Sequence, residues 1–333
     1  MKPITIKDIA RELNISVSTV SRALQDHPDI SERTKSLVRD CAKKLNYKPN
    51  LIASNLRTCK NTTIGVVIPE LTHHFFSSVL NGIEQTANEA GYQVLICQTC
   101  EDVEKEIQAV HTFIGSRVAG ILVGVSKQTT DLSHLKEVLA NDIPLVLYDR
   151  PCPSLKCDQV VSDDYRGAYN AVEYLIQTGC KRVMCFVSCM HLEVSRRRYQ
   201  GWRDALQAYQ MPISPDMIVE CDSRSKAIID TPVILQSENR PDAIFCVNDD
   251  CAAGVLHVAK ILGVKIPDDL AVCGFSDAAI CKATVPMLST VQQHGIEIGR
   301  NATKRLLLRL DGNTQIPQTE MVPTDLIVRE TTK

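Results

Sequence analysis

Two kinds of hydrophobic spacing divide this chain. Near the N-terminus, Ile6, Ile9, Ala10 and Leu13 recur at i, i+3, i+4 and i+7, which puts them on one face of a helix. Asn14 follows, and Asn tolerates the left-handed conformation that ends a helix. Ser16 suits the N-cap of a second helix running to about residue 25. From that helix Val17, Val20, Ala23 and Leu24 are expected to pack inward, with Ser18, Ser21 and Arg22 outward. Ser31 caps a third helix over 32–45, whose inner face is read as Leu37, Val38, Cys41, Ala42 and Leu45, with Tyr47 closing a small core.

From Thr63 the pattern changes to short apolar runs alternating with amphipathic stretches. Strands are expected at 63–69, 93–97, 120–125 and 144–148, with helices at 75–90, 103–116 and 132–139 between them. Residues 160–164 read as a crossing point. A second run follows, with helices at 165–178, 194–208, 225–236 and 251–262 and strands at 182–187, 217–220, 243–247 and 271–274. Residues 288–291 and 321–323 read as returns between two similar lobes. Repeated βα units imply parallel sheets with helices on both faces. The expected fold is an all-α helix-turn-helix headpiece followed by a two-lobed α/β core. The headpiece is placed at 1–48, a linker at 49–60 and the core at 61–333. The N-lobe takes about 61–161 plus 292–321, and the C-lobe 162–291 plus 322–333.

Charge sharpens the division. Net charge is -2, but residues 1–60 hold 12 lysines and arginines against 6 acidic residues, and the rest holds 25 against 33. A basic N-terminal piece on an acidic body suits a polyanion partner for that piece alone. Lys7, Asp8, Arg11 and Glu12 interrupt any leader-like apolar run, and the run 118–125 is too short to span a bilayer. A cytoplasmic protein without membrane contact is expected. The 14 cysteines are scattered over strands and helices and read as reduced thiols acting as small apolar residues. Cys97 and Cys100 form one isolated CxxC with no second pair at zinc spacing, so no metal is expected.

A short helix, a tight turn and a second helix with a small polar face is the helix-turn-helix pattern. Its second helix fits a major groove, where Arg22 can donate two bonds to a guanine, Val17 can touch a thymine methyl and Ser18 can bond base edges. Thr19 and Ser21 are better placed for phosphates. Periodicity alone leaves an ordinary helical hairpin with solvated serines equally open. The segment TIKDIARELNISVSTVSRAL goes further: it resembles the DNA-binding headpiece of the lactose-repressor (LacI) family, nearly residue for residue across Ser16-Val17-Ser18-Thr19-Val20-Ser21-Arg22. The resemblance covers essentially the whole chain. It implies DNA contacts from Thr5, Ser16, Val17, Ser18, Thr19, Ser21 and Arg22. It also implies a hinge helix in NLIASNLR, with Asn50, Ala53 and a minor-groove wedge at Leu56. Without it, that segment is too short to be a stable helix in water and reads as a linker. It further implies a homodimer on a near-palindromic operator in double-stranded DNA, since two-fold operators mirror protein symmetry.

The core of that family is related to ribose-type periplasmic sugar-binding proteins. Open α/β sheets bind ligands at the carboxyl ends of their strands, and the polar groups here sit at such ends. His73, Phe75 and Phe76 follow the first strand, Asp149 and Arg150 the fourth. Asn248 and Asp249 follow a strand of the second lobe, Ser276 and Asp277 another, and Arg198 opens a helix. Aromatic faces with carboxylates, amides and guanidinium forks suit a small sugar or sugar derivative. Singly, the phenylalanines read as core, the aspartates as helix caps and Arg198 as one of a solvated trio. His73 stands where sugar binders of this type often carry Asn, and Ser276 where several relatives have Asp. A stand-alone sugar receptor is the competing function, which the basic headpiece disfavours. No P-loop, nucleophile elbow, HExxH or Gly-rich dinucleotide turn is present, so neither catalysis nor a cofactor is expected.

Overall fold

The computed structural model describes residues 4–47 and 61–333. They fall into two compact units, Met1–Asn61 and Thr62–Lys333.

The first unit holds helices α1 (Ile6–Glu12), α2 (Val17–Leu24) and α3 (Glu32–Lys44). Thr5 donates through its N–H and its hydroxyl to Asp8, at 2.9 and 2.7 Å, fixing the start of α1. Asn14 ends α1 at φ 51°, and the Ile15 N–H returns to the Ala10 carbonyl at 3.1 Å. Ser16 accepts the Thr19 N–H at 3.0 Å and starts α2. Ile9, Ala10, Val20, Ala23, Val38, Cys41 and Ala42 form the core, with Tyr47 against it. Two inward assignments are corrected. Leu37 is 52% exposed, because it lies one residue, a quarter-turn or so, before Val38. Lys35, three residues before Val38, takes the inner position instead, and its ammonium reaches Glu32 at 2.8 Å and Asp26 at 3.1 Å. Val17 opens α2 and stands 37% exposed rather than inside.

The second unit is built on two six-stranded sheets. The first contains β1 (Thr63–Ile68), β2 (Gln93–Gln98), β3 (Gly120–Val123), β4 (Leu145–Tyr148), β5 (Asp158–Ser162) and, from far down the chain, β11 (Thr319–Val322), in the order β11-β5-β4-β3-β1-β2. The second contains β6 (Val183–Val187), β7 (Ile218–Glu220), β8 (Ala243–Cys246), β9 (Ala271–Ser276), β10 (Ser289–Gln292) and β12 (Asp325–Ile327), in the order β12-β10-β9-β8-β6-β7. All pairings are parallel except β10 with β12. Helices α4 (His74–Glu89), α5 (Val103–Gly115), α6 (Ser133–Ala140) and α11 (Gly295–Leu310) cover the first sheet. Helices α7 (Asp164–Gln177), α8 (Glu193–Ala208), α9 (Arg224–Leu235) and α10 (Asp249–Ile261) cover the second.

Both faces of each sheet are buried at the inner strands, which is why those strands read as continuous apolar runs, while the edge strand β2 leaves Leu95 and Ile96 exposed. Ile64, Val66 and Ile68 face the α4–α11 side, and Val67, Ile121 and Val123 the other. In the second lobe Phe245 and Cys273 share one face, Ile244 and Cys246 the other. All thirteen described cysteines are free, and Cys185, Cys246 and Cys273 sit in these cores as small apolar groups.

The residues read only as a crossing at 160–164 close a fifth strand, β5. The chain passes between lobes there, again between β10 and α11, and again between β11 and β12. Gln293 on the second crossing donates to Ser162 on the first at 3.2 Å, and Thr324 on the third donates to the Asp163 carbonyl at 3.3 Å. The helix pair that closes the N-lobe depends on two glycines. A Cβ on Gly82 of α4 would stand 2.1 Å from the Ile296 carbonyl oxygen, and one on Gly299 of α11 would stand 2.0 Å from that of Val79. Only glycine permits that approach.

Candidate functional site

In the first unit, Ser16, Val17, Ser18 and Arg22 are exposed on α2, and Thr19 and Ser21 are half-buried. The Ser16 hydroxyl lies 2.8 Å from Ser18 Oγ and 2.7 Å from Thr19 Oγ1, so it organises the first turn as well as capping it. Thr5 stands exposed at the start of α1. The arrangement presents a short helix with a guanidinium, small hydroxyls and one methyl-bearing side chain outward, the chemistry that reads base edges. Asn50, Ala53 and Leu56 lie outside the described residues.

In the second unit, the strand ends of the two lobes face each other across a cavity of about 520 Å³. Eight of the ten residues selected from the sequence line it: His73, Phe75, Phe76, Asp149, Arg150, Arg198, Asn248 and Ser276. His73 precedes α4, and its ring packs 5.8 Å from that of Phe76. Asp149 follows β4 in a left-handed conformation, φ 67°, with its N–H on the Val160 carbonyl at 3.0 Å. Burial pushes its carboxyl up to about 6, against the pull of Arg150. Arg150 makes two parallel bonds to Glu101, at 2.7 and 2.8 Å, donates to the Val125 carbonyl at 2.6 Å and lies over the Phe76 ring.

On the C-lobe side, Arg198 donates through Nε to Asp164 at 2.7 Å and through Nη1 to the Val247 carbonyl at 2.6 Å. Its guanidinium stacks 3.8 Å above the Phe275 ring. It belongs to the second turn of α8 rather than to its start, and it is buried where Arg196 and Arg197 are exposed. Asn248 caps α10, accepting the Cys251 N–H at 2.8 Å and donating to the Asp222 carbonyl at 2.8 Å. Ser276, at φ 127°, donates to Gln293 at 2.9 Å, which ties the cleft floor to the interlobe crossings.

Asp249 and Asp277 do not line this cavity. Asp249 points inward beneath Ser276, accepting Thr290 Oγ1 at 2.5 Å and the Ala278 N–H at 2.7 Å. Gly274 leaves room for it, since a Cβ there would lie 2.3 Å from Asp249 Oδ1. Asp277 is held by Arg329 at 2.5 Å on another face. The neighbouring Asp250 reaches the cleft instead, paired with Arg224 at 2.8 Å.

The sequence reading missed Glu101, Lys127 and Asp222, which follow β2, β3 and β7 and obey the same strand-end rule. Lys127 of the N-lobe donates to Asp222 of the C-lobe at 3.0 Å, and His191 meets the Lys127 carbonyl at 2.6 Å, so two contacts span the cleft. Burial opposes ionisation of Asp222, but Lys127, Lys226 and Ser188 together hold it at about 2. His73 Nδ1 and Ser195 Oγ are buried without a hydrogen-bond partner. They come from different lobes and do not bond each other, so they are no nucleophile–base pair.

Comparison with known proteins connects the two units. Residues 5–50 match the family described as bacterial regulatory proteins, lacI family, and residues 172–332 match a periplasmic binding protein-like domain. The HTH-type transcriptional repressor PurR of Vibrio parahaemolyticus is 31% identical, covering 99% of this chain and 98% of its own. Among solved structures, the lac repressor dimer bound to operator and the anti-inducer ONPF superposes with a TM-score of 0.89 at 26% identity, covering 99% of each chain. A LacI-family regulator from Enterococcus faecium with bound ribose gives 0.72 at 25% identity, covering 81% of this chain and 98% of its own. By sequence, headpiece and two-lobed core alike, this chain belongs to the lacI family of bacterial DNA-binding transcriptional regulators.

Proposed function

We propose that this regulator binds a small sugar or sugar derivative in the interlobe cleft, and that occupancy of the cleft controls its hold on a near-palindromic operator, as a repressor. The headpiece at 1–48 reads the duplex, through Ser16, Val17, Ser18 and Arg22 toward bases and Thr5, Thr19 and Ser21 toward phosphates. Residues 49–60, with Asn50, Ala53 and Leu56, carry the signal, and the core at 61–333 senses the ligand. The observation that carries the reading is the convergence of aromatic rings, two buried guanidinium groups, Asp149 and Asn248 from both lobes on one cavity. Hydroxyl-rich rings need such paired donors and acceptors beside an apolar face. The relatives whose structures hold operator or ribose support it.

Two copies would act together. Ile229 and Val233 on α9 and Ile261 on α10 are exposed apolar side chains on adjacent helices, a surface suited to a second copy of this chain. Among the described residues no helix is long and apolar enough to cross a membrane, and we assign the protein to the cytoplasm, as a non-enzyme. The test has two arms. Selection from randomised duplexes should recover a near-palindrome bound more tightly than random DNA, and a thermal-shift screen of sugars should find a ligand whose effect Arg198→Ala abolishes. An unselective headpiece refutes the first arm, and an unaffected Arg198→Ala variant refutes the site.

A further inference from the structure

Every cation of the cleft is matched by a carboxylate, and Glu70, which accepts the Thr72 hydroxyl at 2.8 Å, adds a further negative group to the lining. Among the described residues lining it, four are permanent cations: Lys127, Arg150, Arg198 and Arg224. Each already meets a carboxylate: Asp222 at 3.0 Å, Glu101 at 2.7 Å, Asp164 at 2.7 Å and Asp250 at 2.8 Å. Asp222 also takes Lys226, at 3.2 Å. The Arg224–Asp250 pair is half-exposed and stands in solvent, which screens it; the other three are deeper. Asp149 keeps only a 3.7 Å approach to Arg150 Nε. His73 adds no positive charge, because burial pushes its ring below the usual imidazole range.

An anion entering this cleft therefore finds no uncommitted cation. To gain one it must detach a guanidinium or ammonium from its carboxylate. At Arg150 and Arg198 that carboxylate is then left largely buried without its counter-charge, and at Lys127 Asp222 keeps only Lys226, which costs more than the new pair returns; at Arg224 solvent screening leaves an anion little to gain. A neutral ligand meets no such penalty. Its hydroxyls can donate to Asp149 and exchange hydrogen bonds with His73 Nδ1 and Ser195 Oγ, which are buried and unpartnered at the cleft wall.

We infer that the cleft takes an uncharged polyol and discriminates against the phosphorylated and carboxylated forms of the same compound, with His73 and Ser195 as hydroxyl partners contributed by opposite lobes. This rests on the carbohydrate reading above and narrows it. The test uses the full chain and matched pairs by calorimetry: D-ribose with ribose 5-phosphate, and D-glucose with glucose 6-phosphate and gluconate. Any parent sugar that binds is expected to do so about tenfold or more tightly than its anionic form. Asp222→Asn uncovers Lys127 and should narrow that ratio several-fold. Should that variant not fold, Asp250→Asn uncovers Arg224 and is read the same way. A phosphate that binds as tightly as its parent overturns the inference while leaving the carbohydrate reading in place. An unchanged ratio in a well-folded variant does the same. If no sugar binds in either form, the carbohydrate reading itself falls and takes this inference with it.

Discussion

Replacing Arg198 by alanine is expected to do two separable things. Arg198 is 9% exposed, and its side chain makes three close contacts: with Asp164, with the Val247 carbonyl and with the Phe275 ring. Its loss strands Asp164, which is 3% exposed. Breaking a buried pair by removing one partner costs about 3–5 kcal/mol. At roughly 2–4 °C per kcal/mol for a domain of this size, the core should melt about 6–20 °C lower. Burial already raises the Asp164 carboxyl, and Arg198 opposes that rise. In Arg198→Ala the carboxyl therefore takes up a proton more readily in the folded than in the unfolded state. The sign follows: stability lost at neutral pH is regained as pH falls, so the deficit should shrink from pH 7 toward pH 5. Adding Asp164→Asn removes the stranded charge and should restore much of the melting temperature without restoring ligand binding. The assay is a thermal melt of parent, both single variants and the double across that pH range, with and without a sugar that shifts the parent. A single variant that melts within about 2 °C of the parent at pH 7, or a deficit that grows toward acid, refutes the argument.

Asp149 sits at about 6 through burial, so sugar affinity should rise as pH climbs from 5 to 7 and its carboxylate becomes an acceptor; calorimetry on Asp149→Asn should give a flat profile. The same shift makes the unliganded core more stable below the carboxyl's usual range, a contribution lost as pH rises through about 6. Gly299→Ala forces a methyl against the Val79 carbonyl and should lower the urea midpoint by an amount worth about 1–3 kcal/mol, the usual cost of overpacking; an unchanged midpoint means α4 and α11 are not held as described. Arg22→Ala should weaken operator binding by about 1–3 kcal/mol while leaving non-specific binding nearly unchanged; equal loss on random DNA in a gel shift would make Arg22 a phosphate contact instead.

The headpiece, the βα succession and most of the cleft can be read from the chain because each leaves a local mark: 3.6-residue spacing, buried runs, polar groups just past a strand. β5 leaves a weaker one. It begins with Asp158 and Gln159, polar residues in a buried strand, and only distant partners explain them. Arg309 and the Gln318 N–H hold Asp158 at 2.6 and 2.8 Å, and the Cys152 backbone satisfies Gln159. Asp249 and Asp250 show a second limit. Adjacent residues on a helix point about 100° apart, and no local pattern says which of the two meets the cleft. Lys35 and Leu37 exchange roles for a related reason, since one of the two ion pairs that let a lysine sit inside comes from Asp26, outside its own helix.

The threading of the chain through both lobes also has a consequence for synthesis. The first lobe to emerge from the ribosome stays unfinished until nearly the whole chain is made, because it waits for α11 and β11. A nascent polypeptide halted before Gly295 leaves β5 as a bare sheet margin and α4 with its glycine-lined flank uncovered. Such margins recruit other strands. Prematurely terminated products of this gene should therefore aggregate or be degraded rather than compete with the complete regulator for DNA.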